Sequence, residues 1–367
     1  MGLSRRDFVQ LAGTGVLLQS PLLKGAQSAS ASGPAAPDYS APSKVALVQG
    51  DIRRTNVYQA LVALDDQIQP DLKRKKYVVI KPNGVVSRNQ LAATHVDALA
   101  GILDYLEPRF HGQVIIAESS AEDTLDVFKN CKYNDLAKER RSQKVSLVDL
   151  NREGRYETLP IVDFDLHVTP VRLAARLLDR DAYVISTAML KTHNTVVATM
   201  SVKNMVLGAP LHSAPGGPYW NDKRKYHVGV RQTHYNMLLT AQKLQPNWGV
   251  AVIDGFEGME GDGPAGGTPV PSRIAIASTD FVAADRVGVE AMGINPDWVG
   301  YLRYCAQAGL GQYNLAKIDV TGPAIASVAK KYKLHPDIDR ELKWMGPMKE
   351  LPPSLGSLPE IQSLFNA

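Results

Sequence analysis

The segment Asp181–Gly208, DAYVISTAMLKTHNTVVATMSVKNMVLG, brings Lys191, His193, Lys203 and Asn204 into one short span between apolar residues. Two ammonium groups and a carboxamide can hold an anion, and an imidazole can move a proton. Taken singly, a lysine after a strand is a solvated charge and a lone histidine is a packing residue. Crowding between apolar flanks shifts that balance, because charges there are costly unless paired or used.

A second set of reactive side chains follows at Asp254, Glu257, Glu260 and Asp262, spaced by glycines in DGFEGMEGDGPAGG. Four carboxylates so close in sequence converge only if the backbone turns tightly, which the glycines permit. Convergent oxygens suit a divalent cation such as Mg²⁺ or Ca²⁺. The spacing is not that of an EF-hand, and the Gly261-x-Gly263-x-x-Gly266 pattern lacks the following helix of a dinucleotide site. Two other readings stay open: an acidic surface turn, and a loop whose carboxylates pair with Lys191 or Lys203.

Both segments follow apolar runs, Ala182–Ser186 and Trp248–Ile253, that read as buried central strands. Further strands are predicted at 44–49, 77–80, 114–117, 145–148, 274–277 and 317–320. Helices are predicted at 55–68, from a Thr94 cap through 106, at 124–140, 172–178, 232–244, 281–292 and 298–308. This alternation predicts an α/β fold, a mostly parallel central sheet with helices on both faces in Rossmann-like layers. Residues 151–170 read as a polar connection with room for an antiparallel excursion. The Pro- and Gly-rich stretch 209–226 reads as a long loop over the C-terminal strand rim, where open α/β sheets bind ligands.

The chain of 367 residues is 44% hydrophobic and 21% charged, an ordinary globular profile. Its formal charge is +4, and residues 1–31 supply +2 of it through Arg5, Arg6 and Lys24 against Asp7. The near-neutral remainder gives no argument for nucleic acid. Ser4-Arg5-Arg6-Asp7-Phe8, an apolar run to Leu23 and Ala29-Ser30-Ala31 have the order of a twin-arginine export signal. That predicts a signal peptide over 1–31, the twin-arginine (Tat) translocase as a transient partner, a periplasmic location and no membrane span after cleavage. Residues 32–43 read as a flexible tail, 44–322 as the α/β domain and 323–367 as a helical, Pro-rich C-terminal tail. Cys131 and Cys305 have no metal-site spacing, so no iron–sulfur cluster is expected. Two unrelated buried thiols and a disulfide are both open to them.

Lys81-Pro-Asn83, Thr94-His95, Ala117-Glu118-Ser119, Leu190-Lys-Thr-His193, Ser201-Val-Lys-Asn204, Asp254-Gly, Glu260-Gly-Asp-Gly-Pro264, Ala277-Ser-Thr-Asp280 and Ala284-Asp285 together resemble the DUF362 family. The resemblance covers about residues 44–320 and supplies a site map rather than an activity. Some members resemble ferredoxins in carrying four-cysteine clusters, which this chain lacks. The map implies one rim lined by Lys81, Asn83, Glu118, Lys191, His193 and Asp254, with His95, Lys203 and Asn204 as further ligand-binding candidates; His234, on the helix read over 232–244, is a candidate from its residue type alone. On this reading Lys81, Lys191 and Lys203 hold a small carboxylate or phosphate, and His193, Lys191 or Glu118 does the chemistry. A metal on Asp254, Glu257, Glu260 and Asp262 would polarise the ligand. Asp280 and Asp285 read as a helix cap and a supporting partner. There is no Gly-x-Ser-x-Gly, Walker or His-Glu-x-x-His motif. Two functional classes stay open: an exported enzyme acting on a small anion, and a periplasmic ligand- or cofactor-binding protein without catalysis. At least one carboxylate of 254–262 within hydrogen-bonding or one-water reach of Lys191, His193 or Lys203, in a concave pocket, is the geometric expectation.

Overall fold

A computed structural model describes residues 42–346; the signal peptide expected over 1–31 lies outside them. The strands are β1 Ser43–Gln49, β2 Tyr77–Lys81, β3 Gln113–Glu118, β4 Val145–Asp149, β5 Tyr156–Val162 and β6 Val168–Ala174. They continue as β7 Ala182–His193, β8 Val197–Thr199, β9 Trp248–Glu260, β10 Thr268–Val270, β11 Ile274–Ser278 and β12 Ile318–Thr321. One mixed sheet has the order β12-β1-β11-β9-β7-β2-β3-β4, with β8 on the end of β7 and β10 on the end of β9. The run β9-β7-β2-β3-β4 is parallel throughout, whereas β11 is antiparallel to both its neighbours. The expected α/β architecture is therefore present.

Alternation along the central strands explains the layers. Tyr183, Ile185, Val250 and Val252 face one core with Val57, Leu61, Ile68, Leu99 and Ile102 of the helices Arg53–Val62, Asp65–Leu72 and Val96–Leu106. Val184, Ala251 and Ile253 face the other, with Val202, Met205, Met237, Val287 and Leu302 of the helices Ser201–Gly208, Val230–Leu244, Phe281–Ala291 and Gly300–Gln307. Each fully buried Val, Ile or Leu contributes roughly 1.5–3 kcal/mol, so a one-residue slip of β7 would cost both cores at once. All twelve residues of β7 are buried.

Several predicted elements differ. The strand read as ending at Ser186 runs on to His193, because β8 folds back on it and pairs Lys191 with Thr199 and His193 with Val197. Lys191 and His193 thus stand on a covered hairpin rather than on a loop. The helix predicted over 124–140 breaks at Lys132, whose φ of 62° interrupts helical backbone. The helix predicted over 55–68 divides into Arg53–Val62 and Asp65–Leu72. Residues 172–174 belong to β6, and the polar connection holds the β5–β6 hairpin. The described part of residues 323–346 packs on the domain through buried Tyr332, Leu342 and Trp344.

Candidate functional site

At the C-terminal rim of β2, β3 and β7 the backbone leaves a cavity of about 190 Å³. Four lysines from four different stretches line it: Lys81 at the end of β2, Lys191 on β7, Lys203 on the helix Ser201–Gly208, and Lys223 from the long loop after that helix. Glu118, at the end of β3, is the carboxylate among the lining residues, and His193 and His227 supply imidazoles.

Each lysine is held differently. The Lys81 ammonium donates to both Glu118 oxygens at 3.1 and 3.0 Å, to Asn204 Oδ1 at 3.0 Å and to the Pro82 carbonyl at 3.0 Å. Glu118 Oε1 also accepts the Ser119 N–H at 2.8 Å. Lys191 donates to Asn83 Oδ1 at 2.7 Å and to the Ala92 carbonyl at 3.3 Å. Lys223 donates to the carbonyls of Leu207 and Gly208 at 3.0 and 3.4 Å, capping the C-terminal end of the Lys203 helix. Lys203, partly exposed into the cavity, has no protein acceptor among the described residues.

Electrostatics single out Lys203 again. Burial lowers its pKa to about 7. Lys191 is lowered to about 7 by burial and then by the charge of Lys203, and Lys223 to about 7 chiefly by burial. Burial and then Lys203 also hold His193 and His227 below the ordinary imidazole range. Lys203 is therefore the charge that its lysine and histidine neighbours share. His193 Nδ1 accepts the Thr195 N–H at 3.0 Å, so the neutral ring carries its proton on Nε2 and is a donor rather than a base.

Packing fixes these positions. Asp285 accepts the N–H groups of Ser201 and Val202 at 2.9 and 3.0 Å, satisfying the start of the helix that carries Lys203 and Asn204. Asn204 Nδ2 donates to Ser186 Oγ at 3.1 Å and to the Lys81 carbonyl at 3.3 Å, tying that helix to β7 and β2. Thr94 Oγ1 accepts from Asn83 N–H at 2.8 Å and donates to the Thr187 carbonyl at 2.7 Å. Thr94 thus holds the Lys-Pro-Asn turn against β7 instead of capping the next helix. The cap is His95, whose Nδ1 accepts the Asp97 N–H at 3.1 Å.

Of the expected residues, Lys81, Asn83, Glu118, Lys191, His193, Lys203 and Asn204 meet at the cavity, and His95, His234, Asp254, Glu257, Glu260 and Asp262 do not. His95 serves its helix. His234 is fully buried, accepting the Tyr301 N–H at 2.9 Å and packing on Tyr301 and Trp344. The acidic stretch is mostly strand, not a tight turn. Met189 pairs with Asp254 but Lys191 with Met259, so Gly255–Gly258 bulge outward while β7 advances only two residues. Gly258 and Gly263 serve close approach: a Cβ on either would overlap Tyr332 Oη or the Thr192 carbonyl.

The four carboxylates consequently diverge to separate partners. Asp254 faces Arg53 at 3.2 Å and Glu257 the same guanidinium at 3.8 Å. Glu260 accepts the Lys333 N–H at 2.8 Å, and Asp262 Oδ1 lies 3.1 Å from His335 Nε2. None hydrogen-bonds or pairs with Lys191, His193 or Lys203 and none lines the cavity, in place of the expected direct contact of turn and lysines; of this stretch Pro264 lines it. Among the described residues no three His, Cys, Asp or Glu side chains are grouped to hold a metal ion. The carboxylate set thus does not fit a divalent cation.

Lys223 and His227 escaped sequence reasoning. Lys223 sits in Asp222-Lys-Arg-Lys225, which reads as a solvated basic run; the signal was its place in the loop already expected to cover the rim. Buried Asp222 pins that loop by accepting Arg172 N–H at 2.8 Å.

A "Thylakoid-associated protein sll1697" from Synechocystis sp. is 30% identical over 149 residues, 40% of this chain and 41% of that protein. The chain thus matches less than half of that relative's length. A solved structure of a Thermotoga maritima protein aligns with 71% of this chain and 59% of its own, at 11% identity and a TM-score of 0.41. The family described as "Domain of unknown function (DUF362)" matches residues 78–290. That match spans more than half of the chain and includes every lysine of the cavity, and the protein belongs to the DUF362 family.

Proposed function

We propose that the cavity binds a small anion, a carboxylate or a phosphate, and that the protein is an exported enzyme acting on it. The carrying observation is the excess of cation over anion: four ammonium groups border one cavity with Glu118 as the carboxylate among its lining residues, and Lys203 has no protein acceptor among the described residues. A partly desolvated cation without a protein partner is costly, and an anionic ligand removes that cost. The ligand would sit among Lys191, Lys203 and Lys223, with Lys81 and Glu118 as a fixed wall. His193 Nε2–H would donate to a ligand oxygen. No step is assigned to a metal.

Calorimetric titration with oxalate and with inorganic phosphate tests the binding. At least one should bind, and Lys203→Met should weaken it by tenfold or more while the melting temperature is kept. Equal affinity in wild type and Lys203→Met would remove the proposal. A binding protein without catalysis is the second reading, favoured by Glu118, whose oxygens are both engaged by Lys81. The export component rests on Ser4-Arg5-Arg6-Asp7-Phe8. Replacing Arg5 and Arg6 by lysine should retain the precursor in the cytoplasm, as cell fractionation would show, and normal periplasmic protein would refute it.

A further inference from the structure

We infer that Lys203 is an amine nucleophile that forms a Schiff base with the carbonyl group of a small oxo acid. The inference rests on the anion-site reading above and deepens it by naming the ligand class. Its ground is the partition of acceptors among the four lysines. Lys81 is enclosed by Glu118, Asn204 and the Pro82 carbonyl, Lys191 by Asn83 and the Ala92 carbonyl, and Lys223 by two helix-end carbonyls. Those acceptors hold the nitrogen of each of the three lysines in a fixed direction. Lys203 has none among the described residues, lines the cavity, and sits on a helix whose start is fixed by Asp285.

A lysine beside other cations in a partly desolvated cavity gives up its proton near neutrality, which is the condition for attack on a carbonyl. Burial of Lys203 acts in that direction. The division of labour follows from geometry: Lys203, without an acceptor among the described residues, is free to turn its lone pair to the carbonyl, while Lys191 and Lys223, oriented by their acceptors, hold the carboxylate next to it in their protonated forms.

The step balances without an oxidant. The neutral Lys203 nitrogen bonds to the carbonyl carbon as the carbon–oxygen π bond opens. One proton leaves the nitrogen for the oxygen, giving a carbinolamine. A second proton transfer releases that oxygen as water and leaves the carbon–nitrogen double bond. His193 Nε2–H and His227 are the cavity groups available to relay these protons.

Trapping tests the inference on the full mature chain, using glyoxylate and pyruvate with sodium cyanoborohydride and reading intact mass and peptide maps. One reduced adduct on Lys203 is expected, faster at pH 8 than at pH 6 and blocked by oxalate. Lys203→Arg should lower trapping at least tenfold. Lys203→Met is a second variant, and the melting temperature of both is checked. An adduct on Lys191 or Lys223, or labelling spread over surface lysines, overturns the assignment. If oxalate binds in the calorimeter but no adduct forms, Lys203 chemistry fails while the anion site stands. If neither oxalate nor phosphate binds and no adduct forms, both fail.

Discussion

The Lys81 ammonium fills the space that a β-carbon on Gly208 would occupy. The last residue of the Lys203 helix is therefore glycine because a buried cation passes over it. Helix propensity alone would favour Gly208→Ala by about 0.5–1 kcal/mol. Overlap with a lysine held by Glu118 and Asn204 should instead cost about 1–3 kcal/mol. Denaturant unfolding of Gly208→Ala should show net destabilisation; a stabilised variant would mean that Lys81 moves freely.

Breaking the Lys81–Glu118 pair should be expensive, since both side chains are about 1% exposed. Lys81→Met should cost about 3–5 kcal/mol by leaving a buried carboxylate without its cation. Lys81→Met with Glu118→Gln should cost less than the sum of the single changes. Strict additivity in chemical denaturation would contradict the pairing.

Anion affinity and stability should respond to pH in opposite senses. In the free protein Lys191, Lys203 and Lys223 titrate at about 7, against an unfolded value of 10.5. An anion binds the protonated forms, so affinity is full below pH 7 and falls above it, about tenfold per pH unit for each proton taken up on binding. Between about pH 7 and 10.5 the unfolded chain holds more protons than the folded one, so the contribution of these lysines to stability rises with pH. Unfolding of the free protein between pH 8 and 9.5 should show that rise, net of the smaller opposing contribution of Glu341, whose carboxyl burial raises to about 8. Calorimetry over the same range should show weakening binding, and pH-independent affinity would refute the role of the lysines.

Asp285 should matter to binding although it does not line the cavity. Asp285→Ala leaves two buried N–H groups unpaired at the start of the Lys203 helix, at about 1–3 kcal/mol each. Oxalate or phosphate affinity should fall with stability, and Asp285→Asn, which keeps one acceptor, should recover part of both. Unchanged affinity in Asp285→Ala would show that the helix keeps its place without the cap.

The sheet was legible because Ala182–Ser186 and Trp248–Ile253 are apolar runs that only a doubly covered strand explains. Lys81 and Glu118 come to one rim because each closes a strand, a placement the apolar runs before them announce, whereas Lys203 and Asn204 reach it from the helix Ser201–Gly208. What failed depended on contacts distant in sequence. The bulge at Gly255–Gly258 arises from unequal advance of β7 and β9, and no local pattern records it. Acidic residues between glycines look the same whether they converge on an ion or part toward Arg53, Lys333 and His335. His234 and His95 looked chemical because a histidine's type does not show that its Nδ1 accepts a backbone N–H, as both do.

Cys131 and Cys305 are unpaired and buried in the two cores on opposite faces of the sheet. The sheet itself stands between the two sulfurs, so maturation of the domain requires no oxidase and no thiol exchange. The chain can reach its native state in a reducing compartment and keep it in an oxidising one, and reductants should leave its melting temperature where it is.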